Sequence, residues 1–242
     1  MSQTEPELGD AFGAALLDQL NGGASAIVVE RDDGFVDTDG SDYFGDIEDD
    51  PLWRWIRPRL GDRVLDLGAG AGRGSMRLQA EGVDVTALDV SPGCIEVCSR
   101  RGVRNTFLGT IEQLAENTRS AFDTVLALGN NLGLIGSPEE AKHVFGAARA
   151  LGGGDARIVG TMLDPHLTDD PAHLRYHARN RDSGRLSGSL RIRVRYRTLA
   201  TYWFALLWAS QSELAELCAA HGWEVIATEP AGILYAAELR PA

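Results

Sequence analysis

The chain predicts an open α/β fold, a doubly wound parallel sheet with helices on both faces and an antiparallel hairpin at one edge. Three observations carry this. Between residues 63 and 163, short β-branched and apolar runs alternate with segments of helical spacing. The first run, Arg63-Val64-Leu65-Asp66-Leu67, feeds directly into a turn with glycine at 68, 70 and 72. After residue 211 one helical segment and two further strand-like runs close the pattern.

Taken from the N-terminus, Glu7 to Leu20 sets apolar residues at 8, 12, 15, 16 and 20, near helical spacing, and Asn21-Gly22-Gly23 ends it. Residues 26–31 and 35–38, joined through Asp32-Asp33-Gly34, read as a hairpin. A polar run containing Tyr43 and Phe44 follows, then a helix from Pro51 to Leu60 that Pro58 disturbs near its end. The core repeats strand and helix: strand 63–68, helix 74–80, strand 83–89, helix 92–101, strand 103–108, short helix 111–117, strand 122–128, helix 138–150 and strand 156–163. Ser91-Pro92 marks one helix start by its cap and first-turn proline, and Ser137-Pro138-Glu139-Glu140 marks another by its capping box. Ser212–Ala220 then reads as a helix, and Trp223–Thr228 with Ile233–Arg240 as the edge hairpin. The expected divisions are 1–60, an N-terminal helix, hairpin and lid; 61–164, a ligand-binding core; 165–210, an inserted hairpin or lid; and 211–242, the helix and strands that complete the core.

Glycines at 68, 70 and 72 let the backbone adopt conformations closed to other residues and keep side chains off a ligand lying against it, while the N–H groups of the following helix face the same spot. A dinucleotide loop needs Gly-x-Gly-x-x-Gly, and Arg73 and Ser75 stand where the last glycine would fall. The stretch Val64-Leu65-Asp66-Leu67-Gly68-Ala69-Gly70-Ala71-Gly72, followed by Val85-Thr86-Ala87-Leu88-Asp89-Val90-Ser91, resembles motifs I and II of the class I S-adenosylmethionine-dependent methyltransferases. Their fold is a Rossmann-like doubly wound sheet with an antiparallel C-terminal edge hairpin. The resemblance covers about residues 60–163 and 211–240, with sharp motifs in the first part alone.

The resemblance implies S-adenosyl-L-methionine as cofactor, with S-adenosyl-L-homocysteine as product. Asp89, with Val90 beside it, would accept hydrogen bonds from the ribose hydroxyls; Gly68, Ala69, Gly70 and Gly72 would wrap the amino-acid end. Asp66 would hold the loop or, through water, the cofactor's ammonium group. Where the family often has an acidic residue near the adenine amino group this chain has Thr110, so Thr110 and Ile111 are its substitutes. Leu128, Gly129 and Asn130 would run beside the methionine part. Asn130 and Asn131 would orient a substrate amine or hydroxyl, although two asparagines in a glycine-flanked loop equally suit a turn. Tyr43 and Phe44 either close over cofactor and substrate or plug onto the core from outside.

With 242 residues and 44% hydrophobic content the chain can bury a full core. No stretch is apolar enough to span a bilayer and the N-terminus is acidic, so a cytoplasmic location is expected. A formal charge of -12 argues against nucleic acid or an anionic membrane as partner. Lys142 is the only lysine, an arginine bias associated with GC-rich bacterial genomes. Cys94 and Cys98 lie one helical turn apart without the further ligands a zinc site needs, so no metal is expected.

Residues 164–210 should decide what is methylated. In residues 190–198, Arg191, Arg193, Arg195 and Arg197 alternate with Ile192, Val194 and Tyr196, and Thr201–Trp208 can pair with them as a hairpin. Arg193 and Arg195 would clamp a substrate carboxylate or phosphate, with Tyr196 and Trp203 as pocket walls. The alternative is a solvated face, or one paired with the acid-rich N-terminal segment of the same or a neighbouring subunit in a homodimer. In-line displacement at an activated methyl needs a positioned nucleophile and a base if that nucleophile carries a proton. Asp164, His166, His173 and His177 are candidate bases. The expected reaction is metal-independent methyl transfer to nitrogen, oxygen or carbon of a small molecule. A non-methylating binder of the same cofactor is the alternative, and a nicotinamide-dependent oxidoreductase is disfavoured by the glycine spacing.

Overall fold

The computed structural model describes residues 5–23, 26–119 and 121–242. The N-terminal part supplies β1 (Glu7–Leu8), α1 (Ala11–Leu20), β2 (Ile27–Arg31), β3 (Val36–Asp39) and α2 (Trp53–Ile56). The alternating core follows with β4 (Arg63–Leu67), α3 (Arg73–Ala80), β5 (Asp84–Asp89), α4 (Pro92–Arg100), β6 (Asn105–Leu108), α5 (Ile111–Asn117), β7 (Thr124–Ala127), α6 (Pro138–Gly152) and β8 (Ile158–Leu163). Beyond it lie α7 (Pro171–Asp182), β9 (Gly188–Tyr196), β10 (Leu199–Ala200), β11 (Phe204–Trp208), α8 (Gln211–Ala220), β12 (Trp223–Ala231) and β13 (Leu234–Pro241).

Among the described residues the strands form two sheets. Seven run in the order β12-β13-β8-β7-β4-β5-β6, parallel from β8 through β6, with β13 antiparallel to β8 and β12 antiparallel to β13. The strand order reverses direction at β4, which lies between β5 and β7, so the carboxyl ends of β4, β5 and β7 open onto the crevice where such sheets hold ligands. One face buries Leu65, Leu88, Val125, Phe145, Trp223 and Leu239 in a single apolar cluster; the other buries Ile56, Val64, Leu78, Val85, Leu126 and Val159. The edge hairpin and every core element expected from the sequence are present.

The flanking segments differ from expectation in instructive ways. The first helix starts at Ala11, because Asp10 caps it and Glu7–Leu8 pairs instead with β10 as a short parallel strand. The helix expected over 51–60 is α-helical for Trp53–Ile56 only and tightens to a 3-10 turn at Pro58, whose ring cannot sit inside an α-helix. Residues 171–182 form a helix that apolar spacing did not announce, since its buried residues are Tyr176, His177 and Asn180. The N-terminal hairpin and the insertion, expected as separate lids, share one six-stranded sheet in which β2 pairs with β9 (Glu30 opposite Arg193) and β11 pairs with the start of β9.

No helix among the described residues is long and apolar enough to cross a membrane. The cysteines at 94, 98 and 218 are free and buried, and burial pushes the thiols of Cys98 and Cys218 up to about 12.

Gly160, in the middle of β8, is tightly enclosed: a Cβ there would lie 2.4 Å from the Ala127 carbonyl oxygen and 2.9 Å from Leu132 Cγ. Gly160→Ala should therefore cost about 1–3 kcal/mol in a denaturant titration, the range for overpacking a fitted core. A loss under about 0.5 kcal/mol would contradict this packing.

Candidate active site

The glycine turn leaves β4 with Gly68, Gly70 and Gly72 at φ of 69, 56 and 74°, in the left-handed region. A side chain at Gly68 would also collide, its Cβ lying 2.6 Å from Asn131 Nδ2. The loop is strapped to its neighbours. The Gly68 and Ala69 amides donate to the Leu88 carbonyl at 2.8 and 3.1 Å, the Cys98 thiol donates to the Gly70 carbonyl at 3.3 Å, and Arg101 Nη1 donates to the Ala71 carbonyl at 2.6 Å.

Asp89 ends β5 beside this loop, with Oδ2 accepting from the Gly70 amide and Oδ1 from the Ser91 amide, both at 2.9 Å. Burial raises its pKa above the ordinary value. A carboxylate has about four lone-pair positions, so each oxygen retains acceptor capacity. Next to it Val90 is 66% exposed and, at the end of the neighbouring strand, Leu108 is 51% exposed. Two large apolar side chains left in water at adjacent carboxyl ends form walls for a flat apolar ring. Leu108 was missed in the sequence because a strand-end leucine resembles any core residue.

Asp66 stands behind the loop, 2% exposed, accepting the Ser75 hydroxyl at 2.7 Å. Burial pushes its pKa up to about 6. Its hydrogen bond ties the end of β4 to the first turn of α3, just beyond the glycine loop.

Four of the expected site residues have partners within the chain. Thr110 caps α5 in a reciprocal box with Gln113, and Ile111 is 3% exposed within the main apolar cluster, so both serve the helix and core. The Asn131 amide donates to the Leu67 and Gly68 carbonyls at 3.0 and 2.8 Å and ties the segment after β7 to the glycine loop. Asn130, at φ 68°, accepts from the Leu163 amide at 2.8 Å, while its own amide donates to Thr161 Oγ1 at 2.9 Å, so the loop carrying Leu128 and Gly129 is pinned to β8.

Tyr43 reaches the loop at Gly70. A methyl on Gly70 would touch Tyr43 Cδ1 at 3.8 Å, Phe12 Cε1 at 3.9 Å and Leu16 Cδ1 at 4.0 Å, so α1 and residues 39–46 cover the glycines. Tyr43 and Phe12 pack edge to face at 5.2 Å, and the Tyr43 hydroxyl donates to Asp39. Phe44 lies instead beneath the Arg101 guanidinium, 5.0 Å from ring centre to Cζ.

The arginine stripe finds its counter-charge within the chain. Arg193 and Arg195 share the Glu30 carboxylate at 2.9 and 3.3 Å, and Arg197 pairs with Asp18 at 3.1 Å. The Arg193 hydrogen bond leads in holding the Glu30 carboxyl below its ordinary value. Trp203 lies against Arg193, 4.7 Å from Cζ to ring centre, and Tyr196 is 4% exposed in the apolar cluster under α1 with its hydroxyl on Asp18. Arg193, Arg195 and Tyr196 are thus occupied in joining the insertion to the N-terminal segment, because the sheet order sets β2 against β9.

The base candidates separate by environment. His177 is 1% exposed and held neutral, its pKa pushed down to about 4 mainly by burial. His173 Nδ1 accepts from Arg31 Nη1 at 3.0 Å, which requires a neutral ring. Asp164 accepts the His166 amide at 2.9 Å and caps the turn after β8. His166 is half exposed, with Nε2 3.2 Å from Glu213 Oε1.

Residues 64–154 match the family model described as a methyltransferase domain. The core of this chain is thus similar to a methyltransferase domain. Over nearly its whole length, 96% of this chain and 95% of the other, the chain superposes on a SAM-dependent methyltransferase from Bacteroides fragilis solved with S-adenosyl-L-homocysteine, at 26% identity and a TM-score of 0.78. It is 41% identical over 118 residues to a ubiquinone biosynthesis O-methyltransferase of Azorhizobium caulinodans, covering 47% of this chain and 40% of that one. It is 40% identical over 134 residues to an uncharacterized methyltransferase of Mycobacterium tuberculosis, covering 46% and 52%. The chain thus spans about half or less of the length of these curated relatives.

The residues of this site fit S-adenosylmethionine. Asp89 has acceptor capacity for a ribose diol, and Val90 and Leu108 offer apolar walls to a purine. The glycine loop presents backbone without side chains to the amino-acid end.

Asp66 gives the site a pH signature. The folded protein holds this proton more tightly than the unfolded chain, so its stability falls as pH rises between about 4 and about 6. Asp66→Asn keeps an acceptor for Ser75 and never ionises, and should gain on the wild type by up to ~3 kcal/mol across that window. Denaturant titrations at both ends check this, and an unchanged difference would contradict it.

Proposed function

We propose that this protein transfers a methyl group from S-adenosylmethionine to a small-molecule acceptor. The observation that carries the proposal is the grouping of Asp89, the left-handed glycine loop, and the exposed Val90 and Leu108 at neighbouring strand ends. When bound, the donor supplies a sulfonium-activated methyl carbon. The chain's task is then to bind, orient and exclude water. Asp89 grips the ribose diol, Val90 and Leu108 enclose the purine, and Phe12, Leu16 and Tyr43 shut the loop from solvent. The six-stranded sheet with α7 bounds the acceptor side.

If the acceptor atom carries a proton, His166 is the group proposed to take it. It follows β8 at the carboxyl edge of the sheet, and donation of its Nε2–H to Glu213 leaves Nδ1 as the acceptor nitrogen. His177, buried and neutral, is better suited to packing α7. The curated ubiquinone-biosynthesis relative, an O-methyltransferase, supports oxygen as the acceptor atom, and the -12 charge favours a neutral or cationic molecule over a polyanion.

Calorimetry should find S-adenosylhomocysteine bound and NAD not bound. Asp89→Ala should weaken that affinity at least about tenfold, as expected for losing charge-assisted hydrogen bonds. Turnover of phenolic and amine acceptors separates methyl transfer from mere binding, and His166→Gln should lower kcat about 100-fold on an acceptor that loses a proton. Equal affinity of the Asp89 variant, or no binding by the wild type, would refute the assignment.

A further inference from the structure

Asp10 fastens the cover over the glycine loop to the start of α4. Asp10 precedes α1 and its Oδ1 accepts the Gly13 amide at 2.9 Å, an ordinary helix cap. The same carboxylate also serves a second helix. Its Oδ2 accepts the Gly93 amide at 2.8 Å, and the Ser91 hydroxyl lies 2.8 Å from both oxygens, so Asp10 caps α1 and α4 together. The helices meet through glycine at this junction: a Cβ on Gly93 would lie 2.6 Å from Gly13 Cα, and one on Gly13 would lie 2.7 Å from Gly93 Cα. Asp89 is two residues before Ser91, and Phe12 and Leu16 leave the same helix to lie over Gly70. Five residues beyond Gly13, the far half of α1 is joined to the other sheet, with Tyr196 and Arg197 bonded to Asp18.

We infer that Asp10 is a positioning residue for the methyl donor: by capping α1 and α4 at once it latches the N-terminal cover, and the six-stranded sheet attached to it, across the glycine loop. The inference rests on the donor reading of that loop. It assigns Asp10 no contact with the reacting atoms. The donor enters and leaves when α1 lifts from α4, and the double cap sets how long the cover stays down.

Asp10→Asn isolates this role. Asparagine equals aspartate as a helix N-cap, so α1 keeps its cap. With Oδ1 kept on the Gly13 amide, however, its Nδ2 would put a donor where Oδ2 accepts the Gly93 amide. Gly93→Ala opens the same junction by another route, since the new methyl meets backbone.

Both variants and the wild type are titrated calorimetrically with S-adenosylhomocysteine, and amide exchange of residues 11–20 is followed in each without ligand. The expected result is a Kd raised about tenfold in both variants, faster exchange of α1, and an Asp10→Asn melting temperature close to wild type. In turnover, KM for the donor should rise while kcat holds or increases. Wild-type binding with both variants matching it in Kd and exchange would overturn the latch alone. Failure of the wild type to bind would overturn the donor reading and the latch with it.

Discussion

The bond from the Gly70 amide to the Asp89 carboxylate is the constraint on which the site depends. It joins the turn after β4 to the end of β5, and it forms only because Gly68, Gly70 and Gly72 occupy left-handed backbone that other residues resist. With the loop so shaped, Leu88 receives two of its amides, Asn131 grips its carbonyls from the β7 side, and Arg101 holds it from just past the end of α4. The carboxylate keeps acceptor capacity in a place where water is largely excluded, which strengthens whatever it holds. Asp66, behind the loop, meets a different fate: equally buried and turned to Ser75, it steadies the start of α3.

The core was legible because its signals are local. Strand runs alternate with capped helices, and the glycine spacing reports the backbone conformation directly. The ligand-facing residues were legible in part. Asp89 and Val90 stand where a motif puts them, whereas the structure engages Thr110, Ile111 and Asn131 in a cap, the core and a backbone clamp that sequence position alone does not distinguish from ligand contact. Leu108 joins Val90 only because the parallel register sets Leu108 beside Asp89.

The second sheet was illegible as a unit because its central pairing joins β2 to β9, residues far apart in sequence. The alternation of arginines was plain, yet their partner Glu30 lies 163 positions before Arg193. Helix α7 hid for another reason: it buries Tyr176, His177 and Asn180 instead of an apolar stripe, although Asp170-Pro171 carries the same kind of start signal as Ser137-Pro138. Two of these polar groups are held by specific bonds, the Tyr176 hydroxyl to the Asp32 carboxylate and the Asn180 amide to the Ser187 and Ser189 carbonyls, each at 2.8 Å, and they fix α7 in one register on β9.

The most direct measurement is a crystal structure of the protein with S-adenosylhomocysteine. The arrangement described here predicts both ribose hydroxyls within hydrogen-bond distance of the Asp89 carboxylate, the purine between Val90 and Leu108, and Phe12 and Tyr43 above the Gly70 backbone. A ligand seated elsewhere, with Asp89 bonded to nothing but the Gly70 and Ser91 amides, would contradict it.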